Sequence, residues 1–287
     1  MKIFVIGSRG QLGRDLVSLL VKNGHAVTGN DIPEIDIADY RSTLTRIREY
    51  APDVIINCAA YTAVDACETH RQEAFAVNSI GAENIAQSAL ETGSRVIHIS
   101  TDYVFDGTKN EPYVENDIPH PTSAYGQSKL EGEVRLASIL PNHLIVRVSW
   151  LYGIHGQHFI KKIVAKAKSL AGTVTPLTVV TDEVGTPTYT IDVCNQIMKL
   201  LQTEHTGIFH CTNEGSCSRY DFAGKILAAY HLNTPVVPCT SRDFVLPAPR
   251  PAYSVLENKR LKELGINVMR DWEDAFADYL LEEAQAS

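Results

Sequence analysis

Up to residue 150, short apolar runs alternate with amphipathic stretches, and this pattern predicts strands that are each followed by a helix. Continuous apolar runs at residues 3–6 and 54–56 are typical of parallel strands that are buried on both faces. After the first run, Leu16, Leu19 and Leu20 share one face of a predicted helix. Because strand and helix repeat in this order, the pattern predicts an α/β fold with a doubly wound parallel sheet.

The same pattern gives approximate bounds for the other elements. Further strands are predicted at Ala26–Asn30, 95–99, His143–Val148, 173–178 and 208–211. Helices are predicted at Tyr40–Tyr50, 64–77, 80–92, 125–139, Phe159–Leu170, 189–201, 220–230 and 272–283, and residues 182–188 are predicted as a polar turn. The pattern loosens after residue 150, which predicts a large domain over residues 1–150 and a smaller one over 151–287. A strand and helix within about 173–210 can return to the first domain.

Glycines recur at every third position after the first strand, at Gly7, Gly10 and Gly13. Such a turn lets backbone N–H groups approach a pyrophosphate at the positive end of the following helix. A tight strand–helix turn without a ligand is the alternative, and the spacing differs from the G-x-G-x-x-G of the best-known dehydrogenases. The position at the N-terminus and a second strand that ends in Asp31 favour a dinucleotide-binding domain.

Two residues near this turn give opposite indications of the cofactor. Asp31 is placed to accept hydrogen bonds from the adenosine ribose hydroxyls and would repel a 2′-phosphate. Arg9 would attract the same phosphate, so the choice between NADH and NADPH stays open. Asp36 and Ile37 are candidates for the adenine site, although Asp36 could equally cap the helix Tyr40–Tyr50.

The third strand runs into small residues at the edge of the sheet where ligands of such folds bind. Ala59 and Ala60 leave room for a flat ligand, and Tyr61 follows them. Asn78 falls between two predicted helices. It is either a group that positions a carbonyl or a water molecule or, more commonly for this residue type, a helix cap.

Thr101, Tyr125 and Lys129 are the candidate catalytic residues. Thr101 ends the fourth strand, and Tyr125 opens a helix on which Lys129 is its i+4 neighbour. A cation beside a phenol lowers the phenol pKa, which makes a tyrosine a useful acid or base near neutral pH. By itself the Tyr-x-x-x-Lys spacing is weak evidence, since an amphipathic helix with a lysine reaching into solvent gives the same pattern.

Composition narrows the class of protein. The chain has 287 residues, 44% of them hydrophobic and 21% charged, which suits an ordinary globular protein with a sizeable core. A net charge of −8 argues against non-specific binding to nucleic acid or to anionic membranes. No apolar run reaches the length of a membrane span, and the N-terminal run is interpreted as a buried strand. Six scattered cysteines without a C-x-x-C pair predict free thiols and a cytoplasmic location.

With the glycine turn, Thr101 and the Tyr125/Lys129 pair in this order, the chain resembles the extended short-chain dehydrogenases/reductases, which have a Rossmann-type sheet. Over essentially its whole length it is similar to the dTDP-4-dehydrorhamnose reductases. The blocks that carry this closer similarity are residues 10–13, 58–65, 100–105, 149–153, 185–188 and 250–251.

The resemblance implies the last step of dTDP-L-rhamnose synthesis, for polysaccharides, in which NADPH or NADH reduces the 4-keto group of dTDP-4-dehydro-L-rhamnose. It implies that Tyr125 protonates the C4 oxygen, that Thr101 shares this hydrogen bond, and that Lys129 lowers the tyrosine pKa and holds the nicotinamide ribose. The implied substrate-binding residues are Thr101, Asp102, Tyr103, Val104, Trp150 and, at the diphosphate, Arg250. The expected cofactor-binding residues are Gly7, Arg9, Gly10, Gln11, Leu12, Gly13, Asp31, Asp36, Ile37, Ala59, Ala60, Tyr61, Asn78, Ser100, Tyr125 and Lys129.

The sequence departs from the family pattern at two places. Gln157 and His158 replace the paired asparagines of many members. Some members dimerise through a magnesium ion held by glutamates, but here the first position is Asp15 and the second site, near Thr190, shows no acid at the matching position, so no metal residue is assigned. A monomer or a homodimer with another contact is expected in place of a metal-bridged dimer.

Two other functions are compatible with this scaffold. A nucleotide-sugar epimerase or dehydratase is the first, but a dehydratase would carry an Asp-Glu pair after Thr101, where this chain has Asp102-Tyr103. A non-catalytic regulatory subunit is the second, and the intact trio of Thr101, Tyr125 and Lys129 argues against it.

Overall fold

A six-stranded, entirely parallel sheet forms the centre of the molecule. In the computed structural model, which describes residues 1–244 and 246–286, its strand order is β10-β5-β4-β3-β1-β2. The strands are β1 Lys2–Ile6, β2 Ala26–Asn30, β3 Val54–Asn57, β4 Arg95–Thr101, β5 His143–Val148, β6 Leu151–Tyr152, β7 Leu177–Val180, β8 Val184–Gly185, β9 Thr188–Tyr189, β10 Gly207–His210, β11 Cys217–Ser218 and β12 Val236–Cys239. The predicted α/β fold with a parallel sheet is confirmed.

Helices cover both faces of this sheet. They are α1 Gln11–Lys22, α2 Tyr40–Tyr50, α3 Val64–Thr69, α4 Arg71–Phe75, α5 Gly81–Thr92, α6 Ala124–Ile139, α7 Phe159–Leu170, α8 Thr190–Leu201, α9 Arg219–Ala229, α10 Lys259–Glu263 and α11 Trp272–Ala286. A π-helical segment, Ala76–Ile80, joins α4 to α5, and short 3₁₀ turns occur at Asp102–Val104 and Ser241–Asp243. Every helix of the described residues is too short or too polar to span a bilayer.

Alternate residues of the central strands face opposite sides of the sheet, as the pleat requires. Ile3 and Val5 pack with apolar residues of α1 and α8. Phe4 and Ile6 pack on the other side with residues of α2, α5 and α6. Burial on both faces explains why these strands are continuous apolar runs in the sequence.

A second core lies beside the sheet and is rich in aromatic residues. Tyr152, Phe222, Trp272, Phe276 and Tyr279 pack there against α7 and β7. Strand β10 and helix α8 belong instead to the large sheet, so the second core uses only part of the chain after residue 150.

Several predicted elements differ from the structure. The helix predicted at 64–77 breaks after Thr69 and ends in the π-helical segment, and the strand predicted at 173–178 lies at Leu177–Val180. The turn predicted at 182–188 contains strand β8 and the first residue of strand β9. Strand β12 was not predicted, because it includes Pro238. Among the described residues it pairs with β7 alone, and a proline is tolerated in such a two-stranded edge position.

Candidate active site

A cleft of about 1410 Å³ follows the carboxyl ends of β1, β3, β4 and β5 and is bounded on its other side by the second core. Ligands of open parallel sheets bind at this edge. Most of the residues predicted to bind cofactor or substrate line it together: Gly7, Gly10, Gln11, Leu12, Asp31, Asp36, Ile37, Ala59, Ala60, Tyr61, Ser100, Thr101, Asp102, Tyr103, Tyr125, Lys129, Trp150 and Arg250. Arg9, Gly13, Asn78 and Val104 do not line it.

The glycine turn brings the start of α1 close to the end of β3. Gly7 has a φ of 76°, and a Cβ atom there would lie 2.5 Å from the backbone nitrogen of Ala59. A Cβ on Gly13 would lie 2.2 Å from the Gly7 carbonyl oxygen. Gly13 therefore serves close packing, while Gly7, Gly10 and the first residues of α1 face the cleft. This compact helix start fits a dinucleotide pyrophosphate.

Asp31 lies in the cleft, whereas Arg9 turns away from it. The Asp31 carboxylate accepts from the backbone N–H of Arg9 at 3.1 Å. The Arg9 guanidinium forms an ion pair with Glu34 and donates to the Ile32 carbonyl at 2.9 Å. The prediction that Arg9 faces the cofactor is thus not met in this arrangement, because Glu34 attracts its charge.

Asp36 lines the cleft and does not cap a helix. Its carboxylate accepts from the backbone N–H of Ala38 at 2.9 Å, and Asp39 caps α2 instead. The alternative that Asp36 is a helix cap is wrong. The adjacent Ile37 packs against Gly81 of α5, where a Cβ would lie 2.8 Å from the isoleucine side chain.

Asn78 is a structural residue of the cleft wall. It is buried in the π-helical segment, accepts from the Tyr61 backbone N–H at 2.8 Å and donates to the Tyr61 carbonyl at 3.1 Å and to the Ser128 hydroxyl at 3.0 Å. Neither the predicted contact with the cofactor nor the cap alternative describes it. Asn78 fixes the backbone of Tyr61, which itself lines the cleft.

The candidate catalytic residues meet where β4 ends and α6 begins. The Ser123 hydroxyl caps α6 by accepting from Gly126 N–H at 3.1 Å, which places Tyr125 and Lys129 on successive turns facing the cleft. Thr101 donates to an oxygen of Asp102 at 2.9 Å, and its hydroxyl lies beside the Tyr125 phenol. A Cβ on Gly126 would lie 2.1 Å from the Tyr103 carbonyl oxygen, so only glycine allows this close approach.

Burial shifts the pKa values of Tyr125 and Lys129. It raises the pKa of Tyr125 well above its usual range, and the neighbouring Thr101 hydroxyl opposes this only in part. Burial also lowers the pKa of Lys129 to about 8. The Lys129 amine donates to the Ile99 carbonyl at 2.7 Å. Desolvation dominates the pKa of Tyr125 in this arrangement, and the lowering of that pKa by Lys129 stays a prediction.

Val104 belongs to the core and not to the substrate pocket. It is fully buried among Phe105, Tyr113 and Leu256. The preceding residue Tyr103 lines the cleft and contacts Tyr125 edge to face, with ring centroids 5.4 Å apart. The prediction for Val104 is wrong because the 3₁₀ turn directs it away from the cleft.

Arg250 reaches the cleft with its guanidinium already bound to an acid. It donates to both carboxylate oxygens of Asp65, at 2.6 and 2.8 Å, and this contact raises the pKa of Arg250. A diphosphate at this position would compete with Asp65 for the same donors.

A second arginine of the cleft, Arg219, is absent from the sequence-based predictions. Its guanidinium lies 3.4 Å from the ring centroid of Trp150 and 4.8 Å from that of Phe159. Its one ion-pair contact among the described residues is Glu183 at 3.6 Å, and its guanidinium makes no hydrogen bond to any of them. No motif indicates this residue, because fold contacts between α9 and the loop after β5 bring it to the cleft.

The indole of Trp150 is packed between Gly185 and the guanidinium of Arg219. Its φ of 45° is left-handed, and a Cβ on Gly185 would lie 2.4 Å from its ring. With Arg219 stacked on the indole, Trp150 lines the cleft as a fixed wall.

The chain has recognisable relatives over its whole length. Residues 1–285 match the family of the RmlD substrate-binding domain. The chain belongs to this family. A spore coat polysaccharide biosynthesis protein of Bacillus subtilis is 38% identical over 285 residues, which cover 99% of both proteins. A dTDP-4-dehydrorhamnose reductase of Aggregatibacter actinomycetemcomitans is 38% identical over 289 residues, which cover 96% of both.

Solved structures of RmlD-family enzymes agree with this fold. A dTDP-4-dehydrorhamnose reductase from Clostridium acetobutylicum has a TM-score of 0.95 at 40% identity, with 99% of this chain and 100% of that one covered. A dTDP-4-dehydrorhamnose reductase from Bacillus anthracis in complex with NADP has a TM-score of 0.93 at 35% identity, with coverages of 98% and 99%. The family predicted from the sequence is confirmed.

In this RmlD-family chain the position considered for a metal holds an internal hydrogen bond. The Thr190 hydroxyl donates to the Asp15 carboxylate at 2.5 Å, and His155 lies 3.5 Å from the same side chain. Burial raises the pKa of Asp15. Among the described residues, no group of three or more His, Cys, Asp or Glu side chains is arranged to hold a metal ion.

Proposed function

We propose that this protein reduces the 4-keto group of dTDP-4-dehydro-L-rhamnose to give dTDP-L-rhamnose, with NADPH or NADH as the reductant. The observation that carries the proposal is the meeting of Thr101, Tyr125 and Lys129 at the floor of a cleft that also contains the glycine turn. Its volume of about 1410 Å³ exceeds the roughly 300–1,000 Å³ typical of a single small-molecule site. A dinucleotide and a nucleotide sugar can therefore bind side by side.

The chemistry needs one hydride and one proton. When bound, reduced nicotinamide would supply the hydride that C4 of the sugar accepts. Tyr125 donates its phenolic proton to the C4 oxygen, which converts the carbonyl into a hydroxyl group. Since burial raises the phenol pKa, Tyr125 carries this proton at neutral pH. Thr101 orients the phenol and the C4 oxygen through its hydroxyl.

The remaining residues bind and orient the two ligands. Gly7, Gly10 and the start of α1 would hold the pyrophosphate of the dinucleotide, and Asp31 would accept hydrogen bonds from the adenosine ribose. Asp102 and Tyr103 follow Thr101 directly and line the cleft with Trp150, where they would contact the sugar. The second core forms the outer wall of the substrate site, which is the domain role expected for residues after 150.

The proposal is tested by following the absorbance of reduced nicotinamide with enzymatically generated dTDP-4-dehydrorhamnose. Oxidation that depends on the sugar, with dTDP-rhamnose as product, is the expected result, and parallel assays rank NADPH and NADH. A second 4-keto sugar, dTDP-4-keto-6-deoxyglucose, which differs in the stereochemistry of other ring carbons, serves as the competing sugar. Tight cofactor binding without any oxidation would contradict the reductase and favour an epimerase or a regulatory subunit.

Replacing Arg250 with alanine is expected to raise the KM for the nucleotide sugar about tenfold or more, with a smaller effect on kcat. The physical reason is that alanine removes a bidentate hydrogen-bond donor to the diphosphate. Asp65→Asn is the matched control: it keeps the arginine and removes the competing carboxylate, so KM does not rise. An unchanged KM in Arg250→Ala would remove this residue from the substrate site.

Arg219→Met is expected to raise the same KM about tenfold to a hundredfold, since hydrogen bonds to charged groups contribute about 1.5–3 kcal/mol each. Methionine keeps an apolar side chain against Trp150 and removes every N–H donor. The control is Arg260→Met, because Arg260 also stacks on an aromatic ring, Phe209 at 4.3 Å, but outside the cleft. Equal effects of the two substitutions would show that Arg219 is only a packing residue.

A further inference from the structure

The guanidinium of Arg250 is mostly buried, and a single carboxylate among the described residues pairs with it. The Arg250 side chain is 19% exposed and donates to both oxygens of Asp65, at 2.6 and 2.8 Å. The backbone N–H of Ala248 donates to the same carboxylate at 3.2 Å, and the Ala248 carbonyl accepts from Arg250 at 2.6 Å. Asp65 belongs to the first turn of α3, so this pair joins α3 to residues 248–250 at the wall of the cleft. The proposed reaction does not by itself account for Asp65.

The other acidic groups near Arg250 cannot take the place of Asp65. Glu183 lies within electrostatic reach of Arg250, but its ion pair is with Arg219, at 3.6 Å. Burial raises the pKa of Tyr103 to about 12, so this phenol is neutral at neutral pH. A guanidinium that is largely removed from water needs a counter-ion, because an unpaired buried charge is strongly unfavourable. Asp65 supplies that counter-ion when no other anion is present.

A diphosphate offers the same two acceptor oxygens as a carboxylate, with more negative charge. We infer that Asp65 is an internal counter-ion of the substrate site, which occupies the two donors of Arg250 in the ligand-free protein and yields them to the diphosphate of the nucleotide sugar. Arg250 is then paired in both states. Asp65 is a positioning residue, since it acts on the ligand only through Arg250, and it sets how tightly the diphosphate is held.

The exchange does not leave Asp65 as a buried, unpaired charge. Its side chain is 41% exposed, so water can replace the guanidinium around the carboxylate. The pKa of Asp65 is lowered by the hydrogen bond from Arg250 and, to a smaller extent, by the charge of Lys162. Lys162 of α7 lines the cleft, and its ammonium makes no ion pair or hydrogen bond to any described residue. After the exchange, the carboxylate therefore keeps a cation in its neighbourhood.

The consequence for turnover rests on the proposed function. A reductase must release its nucleotide-sugar product before the next substrate binds. A carboxylate that recaptures Arg250 lowers the affinity for substrate and product alike, and it therefore favours release. Asp65 thus limits the affinity that Arg250 would otherwise give to the site.

Calorimetric titration of the intact protein with dTDP tests this role without any turnover. Asp65→Asn should lower the Kd for dTDP about tenfold, because the ligand no longer displaces a carboxylate from Arg250. Stopped-flow measurements should show that slower dissociation accounts for most of this gain. Asp65→Ser is a second variant with the same loss of charge and the same expected result. An unchanged or higher Kd in both variants would overturn the inference.

Two comparisons separate the exchange from a general effect of charge. Glu83→Gln changes the net charge equally by removing a partner of Arg135 outside the cleft, and it should leave the Kd for dTDP unchanged. In an Arg250→Ala background, Asp65→Asn should change this Kd by less than about twofold, since its effect requires the guanidinium. An equal gain in Glu83→Gln, or a full gain without Arg250, would overturn the inference.

The dinucleotide cofactor also contains a diphosphate, so the same variants are titrated with NADPH. Its Kd should be unchanged in Asp65→Asn. A gain for NADPH and none for dTDP would assign Arg250 and Asp65 to the cofactor and overturn the inference. If the dTDP results are as expected and no 4-keto sugar is reduced, the proposed function fails and the inference about Asp65 stands. If the sugar is reduced but Asp65→Asn leaves the Kd for dTDP unchanged, the inference fails and the proposed function stands.

Discussion

Replacement of Tyr125 by phenylalanine is expected to lower kcat for sugar reduction about 10²–10⁴-fold. The phenyl ring keeps the edge-to-face contact with Tyr103 and removes only the hydroxyl group that donates the proton. Cofactor binding should be nearly unchanged, because the glycine turn and Asp31 are untouched. The measurements are steady-state kinetics of reduced-nicotinamide oxidation and a fluorescence titration of cofactor binding.

Tyr253→Phe is the matched control, since it removes a phenol hydroxyl outside the cleft. It should leave kcat within about twofold, as expected for a substitution that touches neither ligand. Normal turnover in Tyr125→Phe would mean that another group supplies the proton. A loss of cofactor binding as large as the loss of kcat would mean that the phenol acts mainly in binding.

The largest effect on stability is expected at the buried ion pair between Glu133 of α6 and Arg147 of β5. Their side chains are 3% and 1% exposed, and two hydrogen bonds join them. Glu133→Gln leaves the guanidinium charged without its counter-ion, which should lower the free energy of unfolding by about 3–5 kcal/mol. Denaturant unfolding of the intact chain measures this difference.

Two comparisons distinguish the cost of a buried unpaired charge from the cost of losing an ordinary ion pair. Glu131→Gln, which breaks a more exposed pair with Arg135 on the same helix, should cost at most about 1 kcal/mol. A double replacement with Glu133→Leu and Arg147→Met should recover most of the stability, because no unpaired charge stays buried. Equal costs for Glu133→Gln and Glu131→Gln would contradict the account.

The sheet could be predicted from the sequence because burial on both faces leaves a direct pattern. Runs such as residues 3–6 are apolar throughout, and their order with amphipathic helices allows few topologies. The second core was predicted less well. Its strands are two to four residues long, which is too short for a clear periodic pattern. Strand β12 also contains Pro238, a residue that argues against a strand.

The candidate site, like the fold, could be predicted only in part. Thr101, Tyr125 and Lys129 follow from local spacing, and the structure brings all three to the cleft. The pKa of Tyr125 could not be predicted, because spacing reports which charges are near but not how deeply they are buried.

Long-range contacts could not be predicted either, because local spacing does not report which distant parts of the chain pack together. Arg219 approaches Trp150 only through the packing of α9. Nor does local sequence reveal that Glu34 binds Arg9 or that the 3₁₀ turn buries Val104.

The most direct test of the account follows the hydride itself. The protein is mixed with reduced nicotinamide cofactor that carries deuterium at C4, on each face in turn, and with dTDP-4-dehydrorhamnose, and the sugar product is examined by NMR. The account predicts that deuterium from one face appears at C4 of dTDP-rhamnose, with one equivalent of oxidised cofactor released for each sugar. A sugar without deuterium, or an epimerised sugar with the cofactor still bound and unconsumed, would contradict it.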